Sequence, residues 1–184
     1  QLVAGAVGEL TARQMLLDAQ TAGHGAETMF KGKKWYPESG GTKPAEISID
    51  DVLADQDLMA ASQDAQAEID AMVDQLKSEV GLTDDELVEV PYLMEDLFGQ
   101  KLAYNPGTAN ILVMGDQAGV PKPWGPVIDG ADIFEKDYLD RIGSPLNALG
   151  SEGQGMEVLF IDDWDWYHSL DGEVHCGTNP DAAP

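Results

Sequence analysis

The sequence predicts a domain of mixed class, α/β or α+β, and three observations carry that prediction. Apolar residues recur at helical spacing over about 8–22, 50–80 and 131–142. Short apolar runs bounded by turn residues, 110–115 (Asn-Ile-Leu-Val-Met-Gly) and 157–161 (Glu-Val-Leu-Phe-Ile), read as buried strands. The 184 residues, 43% hydrophobic and 24% charged, suffice for a real core and are too apolar for a disordered polymer. No internal repeat stands out.

Taken in order, the first helix covers about 8–22, with Leu10 and Leu17 set against Arg13, Gln14 and Gln20 before Gly23 stops it. A Gly/Pro-rich loop from Pro37 to Pro44 follows. Two acidic helices come next, about 50–60 and 62–80. In the second, Ile69, Met72, Val73, Leu76 and Val80 form one apolar stripe, and Gly81 ends it. Thr83-Asp84-Asp85-Glu86 reads as a capping box, or as the turn before a short strand from Leu87 to Val90. The cluster Val120-Pro121-Lys122-Pro123-Trp124-Gly125-Pro126 reads as an ordered loop, since proline cannot donate to a helix. The helix over 131–142 places Phe134, Tyr138 and Ile142 on one face. After the strand at 157–161 the chain passes Asp162-Asp163-Trp164-Asp165-Trp166-Tyr167-His168, turns through Asp171-Gly172, and runs to Asn179.

Charge narrows the partners. Lys and Arg number 10 against 34 Asp and Glu, a net charge of −24. Such a surface repels phosphate backbones and acidic leaflets, and leaves basic ligands and cations such as calcium welcome. Residues 46–99 hold sixteen acids against Lys77 alone, which reads as a solvated helix face or as a cation-binding surface. No stretch approaches the roughly 18 apolar residues of a membrane helix. The start, Gln1-Leu2-Val3-Ala4-Gly5-Ala6-Val7, lacks the basic flank of a signal peptide and lacks Met, which points to a processed or truncated terminus. Cys176 is the only cysteine, so no intrachain disulfide is available.

Cys176 is also the one natural strong nucleophile, or else a small structural hydrophobe. In an extended segment His175 points away from it, and is expected packed or hydrogen-bonded behind the site. His168 could approach across a turn, and His24 in Gly23-His24-Gly25 reads as a helix exit. Asp162, Asp163, Asp165, Asp171 and Glu173 crowd the thiol. Negative charge raises a thiol pKa, so the cluster suits a cationic substrate, above all a guanidinium gripped by paired carboxylates. An EF-hand fails because His168 stands where its turn glycine belongs. Neither zinc-ligand spacing nor a phosphate loop occurs.

Gly172-Glu173-Val174-His175-Cys176-Gly177-Thr178-Asn179 resembles the nucleophile motif of the protein-arginine deiminases. Residues 110–115, 119–130, Phe160-Ile161-Asp162-Asp163 and Tyr167-His168 are similar to the same family in the same order, as are Gly23-His24-Gly25 and Glu79-Val80-Gly81-Leu82. The resemblance implies a five-bladed α/β propeller of the guanidino-group-modifying type. It implies Cys176 as the nucleophile that converts peptidyl arginine to peptidyl citrulline and ammonia through a covalent thiouronium. It also implies calcium as cofactor, with ligands expected upstream and no metal ligand in this chain. The family's His-x-Asp stretch is absent, since no His here is followed by Asp two residues on.

By the resemblance, residues 1–184 are the C-terminal segment of a deiminase catalytic domain, about two of five blades. The remainder is expected on a separate N-terminal chain bound non-covalently, with this chain inactive alone. Leu170 and Asp171 stand where mammalian members carry basic, substrate-touching residues, which makes them candidate substrate-binding residues with a taste for cationic flanks. The chain also stops soon after the motif, and both departures fit a microbial relative. A secreted protein is expected, with a cytoplasmic one the alternative. A deiminase of free arginine or agmatine, and a non-catalytic acidic binding module, are the other readings.

Overall fold

The computed structural model describes residues 4–37, 39–143 and 155–178. A parallel strand pair is built first. β1 (Ala4–Gly8) leads into α1 (Glu9–Ala19), whose last turn widens over Gln20–His24 until Gly23, at φ 94°, breaks it. Two short antiparallel pairs follow: β2 (Thr28–Met29) with β5 (Ile47–Ser48), and β3 (Lys34–Trp35) with β4 (Lys43–Pro44). Next come α2 (Ile49–Ala54) and α3 (Gln56–Val80), and β6 (Leu87–Pro91) returns parallel to β1, with Val7 opposite Val90.

The two acidic helices divide at Asp55 rather than near residue 61. Asp55 leaves helical geometry and its carboxylate accepts the Leu58 N–H at 2.9 Å, so the cap sets the boundary. The apolar stripe is also displaced. α3 buries Leu58, Ala61, Ser62, Ala65 and Gln66 along its first half, whereas Met72 and Val80 are more than half exposed. The helix outruns the layer it packs on. Gly81, at φ 73°, ends it as expected, and Glu86 accepts both the N–H and the hydroxyl of Thr83.

Three hairpins then use the turns their residues allow. β7 (Met94–Leu97) and β8 (Gln100–Ala103) join through Phe98-Gly99, both at positive φ, a type I′ turn. β9 (Leu112–Met114) and β10 (Gln117–Pro121) join through Gly115-Asp116, and β11 (Val127–Ile128) and β12 (Ala131–Asp132) through Asp129-Gly130. β10 takes in Val120 and Pro121, so a strand enters the proline cluster that the sequence reads wholly as loop. From β12 the chain enters α4 (Ile133–Tyr138), capped by the Asp132 carboxylate, and continues in a wider turn to Gly143. β13 (Glu157–Ile161) pairs parallel with β10, giving the order β13-β10-β9. Within 112–161, two antiparallel strands precede the β11–β12 hairpin and α4, and β13 then lies parallel to the second of them.

Two apolar clusters result. The larger joins Leu16 of α1, Met29, Phe30, Ile49, Val52, Leu93, Phe134 and Trp164. The smaller packs Val90, Ala118 and Val120 against Tyr138 and Ile142, the predicted face of α4. Among the described residues no helix is long and apolar enough to cross a membrane.

Candidate functional site

Trp164 fixes the segment that leads to the thiol. It is fully buried, donates its indole N–H to the Lys34 carbonyl at 2.8 Å, and packs on Phe30, Trp35 and His168. Behind it the backbone coils tightly. The N–H groups of Tyr167 and His168 both donate to the Asp163 carbonyl. Asp171 then reverses the chain at φ 62°. A short 3-10 turn, His175–Gly177, carries the exposed thiol.

That turn is held from 65 residues away. Asn110 Oδ1 accepts the His175 N–H at 2.8 Å, and Asn110 Nδ2 donates to Cys176 Sγ at 3.3 Å. Three residues earlier on the same loop, the Gly107 N–H donates to Glu173 Oε1 at 3.0 Å. The loop 107–110 and the turn 173–176 therefore lock through both side chains and backbone.

The acids near the thiol divide by environment. Asp162 is claimed by Lys33 at 2.6 Å, and Asp165 accepts the Tyr36 hydroxyl at 2.9 Å. Asp163 and Glu173 are buried, 3% and 7% exposed. Burial first, then the neighbouring Glu173 carboxyl, pushes the Asp163 pKa up to about 8. Asp171 is exposed. A paired-carboxylate grip for a guanidinium beside the thiol is therefore not what these acids form. A cleft beside the turn is lined instead by Asp162, Trp166, Tyr167, Val174, Gly177 and Thr178, mostly apolar surface.

The histidines also differ from expectation. His175 lies in a tight turn rather than an extended segment, and its side chain is exposed, not packed behind the site. His168 is 4% exposed and its Nδ1 lies 3.0 Å from Glu173 Oε1, while Nε2 has no hydrogen-bond partner, the thiol included. Leu170, 72% exposed, and Asp171 sit at the rim of the coil that leads into the thiol turn. Asn110 is the contact the sequence reading missed. Its signal was a polar side chain opening an apolar strand. Among the described residues no group of three or more His, Cys, Asp or Glu is arranged to hold a metal ion.

The family model described as protein-arginine deiminase (PAD) matches residues 7–184. The chain is 35% identical over 171 residues to protein-arginine deiminase type-3 of Rattus norvegicus, covering 93% of this chain and 24% of that protein. Against protein-arginine deiminase type-1 of Mus musculus the identity is 34% over 171 residues, 93% of this chain and 23% of the relative. Against type-4 of Homo sapiens it is 32% over 172 residues, with the same shares. The chain spans about a quarter of the length of these relatives. With a family model running from β1 through the thiol turn, the chain belongs to the protein-arginine deiminase family.

Proposed function

We propose that this chain carries the nucleophile of a hydrolase that converts peptidyl arginine to peptidyl citrulline and ammonia. The observation that carries the reading is the exposed Cys176 thiol, oriented by Asn110 on a turn whose sequence resembles the family's nucleophile motif. The Cys176 thiolate adds to the guanidinium carbon, forming a C–S bond and a tetrahedral adduct. Ammonia leaves with a proton from a general acid, giving a covalent thiouronium. Water then adds to that carbon, the C–S bond breaks, and citrulline departs as the thiolate is restored.

The chain's own part is to present, orient and expose the sulfur. The general acid/base is a residue outside these 184, because His168 is committed to Glu173 and no His here begins a His-x-Asp sequence. The carboxylates that grip the guanidinium lie outside as well, since Asp162 and Asp165 are already paired. A second, N-terminal segment of the same enzyme, held without a disulfide, supplies these groups. The strand-strand-helix-strand unit at 112–161 supports reading the fold as part of a bladed α/β propeller. Calcium, the cofactor the family resemblance implies, would take its ligands from residues upstream of this chain, and the steps above use this chain's own sulfur.

The test is citrulline formation by the full-length protein on peptidyl and on free arginine, with and without a haloacetamidine. Labelling at Cys176 that abolishes activity on peptides is the expected result. Full activity after complete labelling would make Cys176 a structural cysteine and overturn its role as nucleophile. Faster turnover of free arginine would move the substrate class. Native and denaturing mass spectrometry of the purified protein tests the partner segment: a companion chain, or a longer single chain, containing His-x-Asp is expected.

A further inference from the structure

Three buried polar side chains stand behind the thiol turn with unsatisfied atoms. Both carboxyl oxygens of Asp163, Oε2 of Glu173 and Nε2 of His168 have no donor or acceptor within reach when the two acids are counted as carboxylates. All three residues are less than a tenth exposed. A buried carboxylate without a hydrogen bond is among the costliest things a core can contain. Yet the Asp163 and Glu173 carboxyls lie against one another in hydrogen-bonding contact. Two ionised carboxylates are acceptors only and would repel, so their contact is stable only with a proton between them. With that proton, Asp163 becomes a donor and Glu173 Oε2 gains its partner. Glu173 Oε1 remains free to accept from the Gly107 N–H and to meet His168 Nδ1.

We propose that Asp163 and Glu173 share one proton, and that this carboxyl–carboxylate pair is the positioning device that holds the Cys176 turn, with Asp163 its positioning residue. The inference rests on the reading of Cys176 as the nucleophile. The pair joins two ends of one coil. Asp163 accepts on its backbone carbonyl from Tyr167 and His168, and the Glu173 carbonyl accepts the Gly177 N–H at 3.2 Å. Losing the shared proton would therefore pry the start of the coil from the turn that ends in the thiol. The charged and titratable groups facing the pair are Asp162, itself paired with Lys33, His168, and the Tyr92 phenol, whose pKa burial raises first and the nearby Glu173 second. Glu95 faces His168 from β7 and Asp171 lies beyond it.

The ionised fraction of Asp163 grows tenfold per pH unit below its midpoint, and burial together with the adjoining Glu173 carboxyl raises its pKa to about 8. The experiment is infrared spectroscopy of the full-length protein labelled with carbon-13 in the aspartate carboxyls. A protonated-carboxyl band at pH 7 that disappears around pH 8 is expected, and it should be missing in Asp163→Asn. Asp132, whose pKa burial raises to about 6, is resolved from it. Absence of the band at pH 7 in the unsubstituted protein would overturn the proposal whether or not any variant folds.

Positioning is read at the sulfur. The alkylation rate of Cys176, corrected for thiolate fraction and located by peptide mass spectrometry, should change on the order of tenfold between pH 7 and 9. In Asp163→Asn, whose amide donates at every pH, it should stay flat. An equal change in Asp163→Asn would also overturn the proposal, because the variant has no proton to lose there. The infrared band does not depend on Cys176 being the nucleophile, so failure of the enzymatic reading leaves it standing and failure of this one removes it.

Discussion

Asn110 is where the sequence-distant half of the site meets the thiol, so its removal has a calculable cost. Asn110→Ala deletes a bond to the His175 N–H at 2.8 Å and one to Cys176 Sγ at 3.3 Å. A neutral hydrogen bond contributes about 0.5–1.5 kcal/mol net, so the two together are worth roughly 1–3 kcal/mol. The turn is exposed, and water can replace the lost partners in the resting chain, so little of that sum should appear as lost global stability. It should appear where the geometry of the sulfur counts, as a fall of roughly 5- to 150-fold in kcat/KM and in haloacetamidine inactivation. Asn110→Asp separates the two bonds. The new carboxylate still accepts from His175 but cannot donate to sulfur, and its charge raises the thiol pKa. Its inactivation profile should shift to higher pH with the melting temperature unchanged. If both variants inactivate within twofold of the parent at every pH, the bond to sulfur does not orient the nucleophile. If Asn110→Ala loses activity only in proportion to lost folded protein, Asn110 is a structural residue and the argument fails.

Other expectations follow from the same geometry. Burial raises the Asp132 pKa to about 6, so the folded chain keeps a proton there that the unfolded chain, near 3.9, has lost. Stability should therefore fall as pH rises from about 4 to 6, and urea melts should show that slope flatten in Asp132→Asn. Trp164→Ala empties the centre of the larger cluster and should cost about 3–5 kcal/mol by denaturant melts, with Cys176 alkylation losing its dependence on folding. Asp171, exposed at the rim, should favour cationic flanks, so Asp171→Arg should reverse the ratio of kcat/KM for peptides with Lys or Glu beside the arginine. An unchanged ratio would remove Asp171 from substrate recognition.

Local pattern made most elements legible. Gly23 and Gly81 stop helices where the sequence places them, and Phe134, Tyr138 and Ile142 are all buried, Phe134 in the larger cluster and the other two in the smaller. The errors came where tertiary partners decide. The stripe Ile69 to Val80 has helical spacing, yet what it would cover is not among its own residues, and the chain packs the first half of α3 instead. Pro121 closes a strand because β13 pairs beside it in parallel, a partner 40 residues away that no local propensity names. The hairpin turns at Phe98-Gly99 and Gly115-Asp116 were readable in principle, but only the second pair carries an unambiguous turn signature.

The acids around the thiol show why charge count is a weak guide to a site. Read along the chain, Asp162, Asp163, Asp165, Asp171 and Glu173 form one negative pocket awaiting a cation. In three dimensions a lysine takes one, a tyrosine hydroxyl takes another, two others lie buried against each other, and one remains in water. The neutralising partners, Lys33 and Tyr36, come from a loop some 129 residues upstream. The stretch from Gly172 to Thr178 is less prone to this, because some of its residues hold the turn in place. Glu173 accepts the Gly107 N–H, the His175 N–H donates to Asn110, and a Cβ at Gly177 would strike the Tyr167 ring. Glu173 and Gly177 answer contacts that a substitution would break, so identity at those two positions reports the three-dimensional site even where composition misleads. The acids on the same stretch divide otherwise: Asp162 and Asp165 are held by Lys33 and Tyr36, Asp163 and Glu173 are buried, and Asp171 stays in water, so proximity along the chain does not gather them around the thiol.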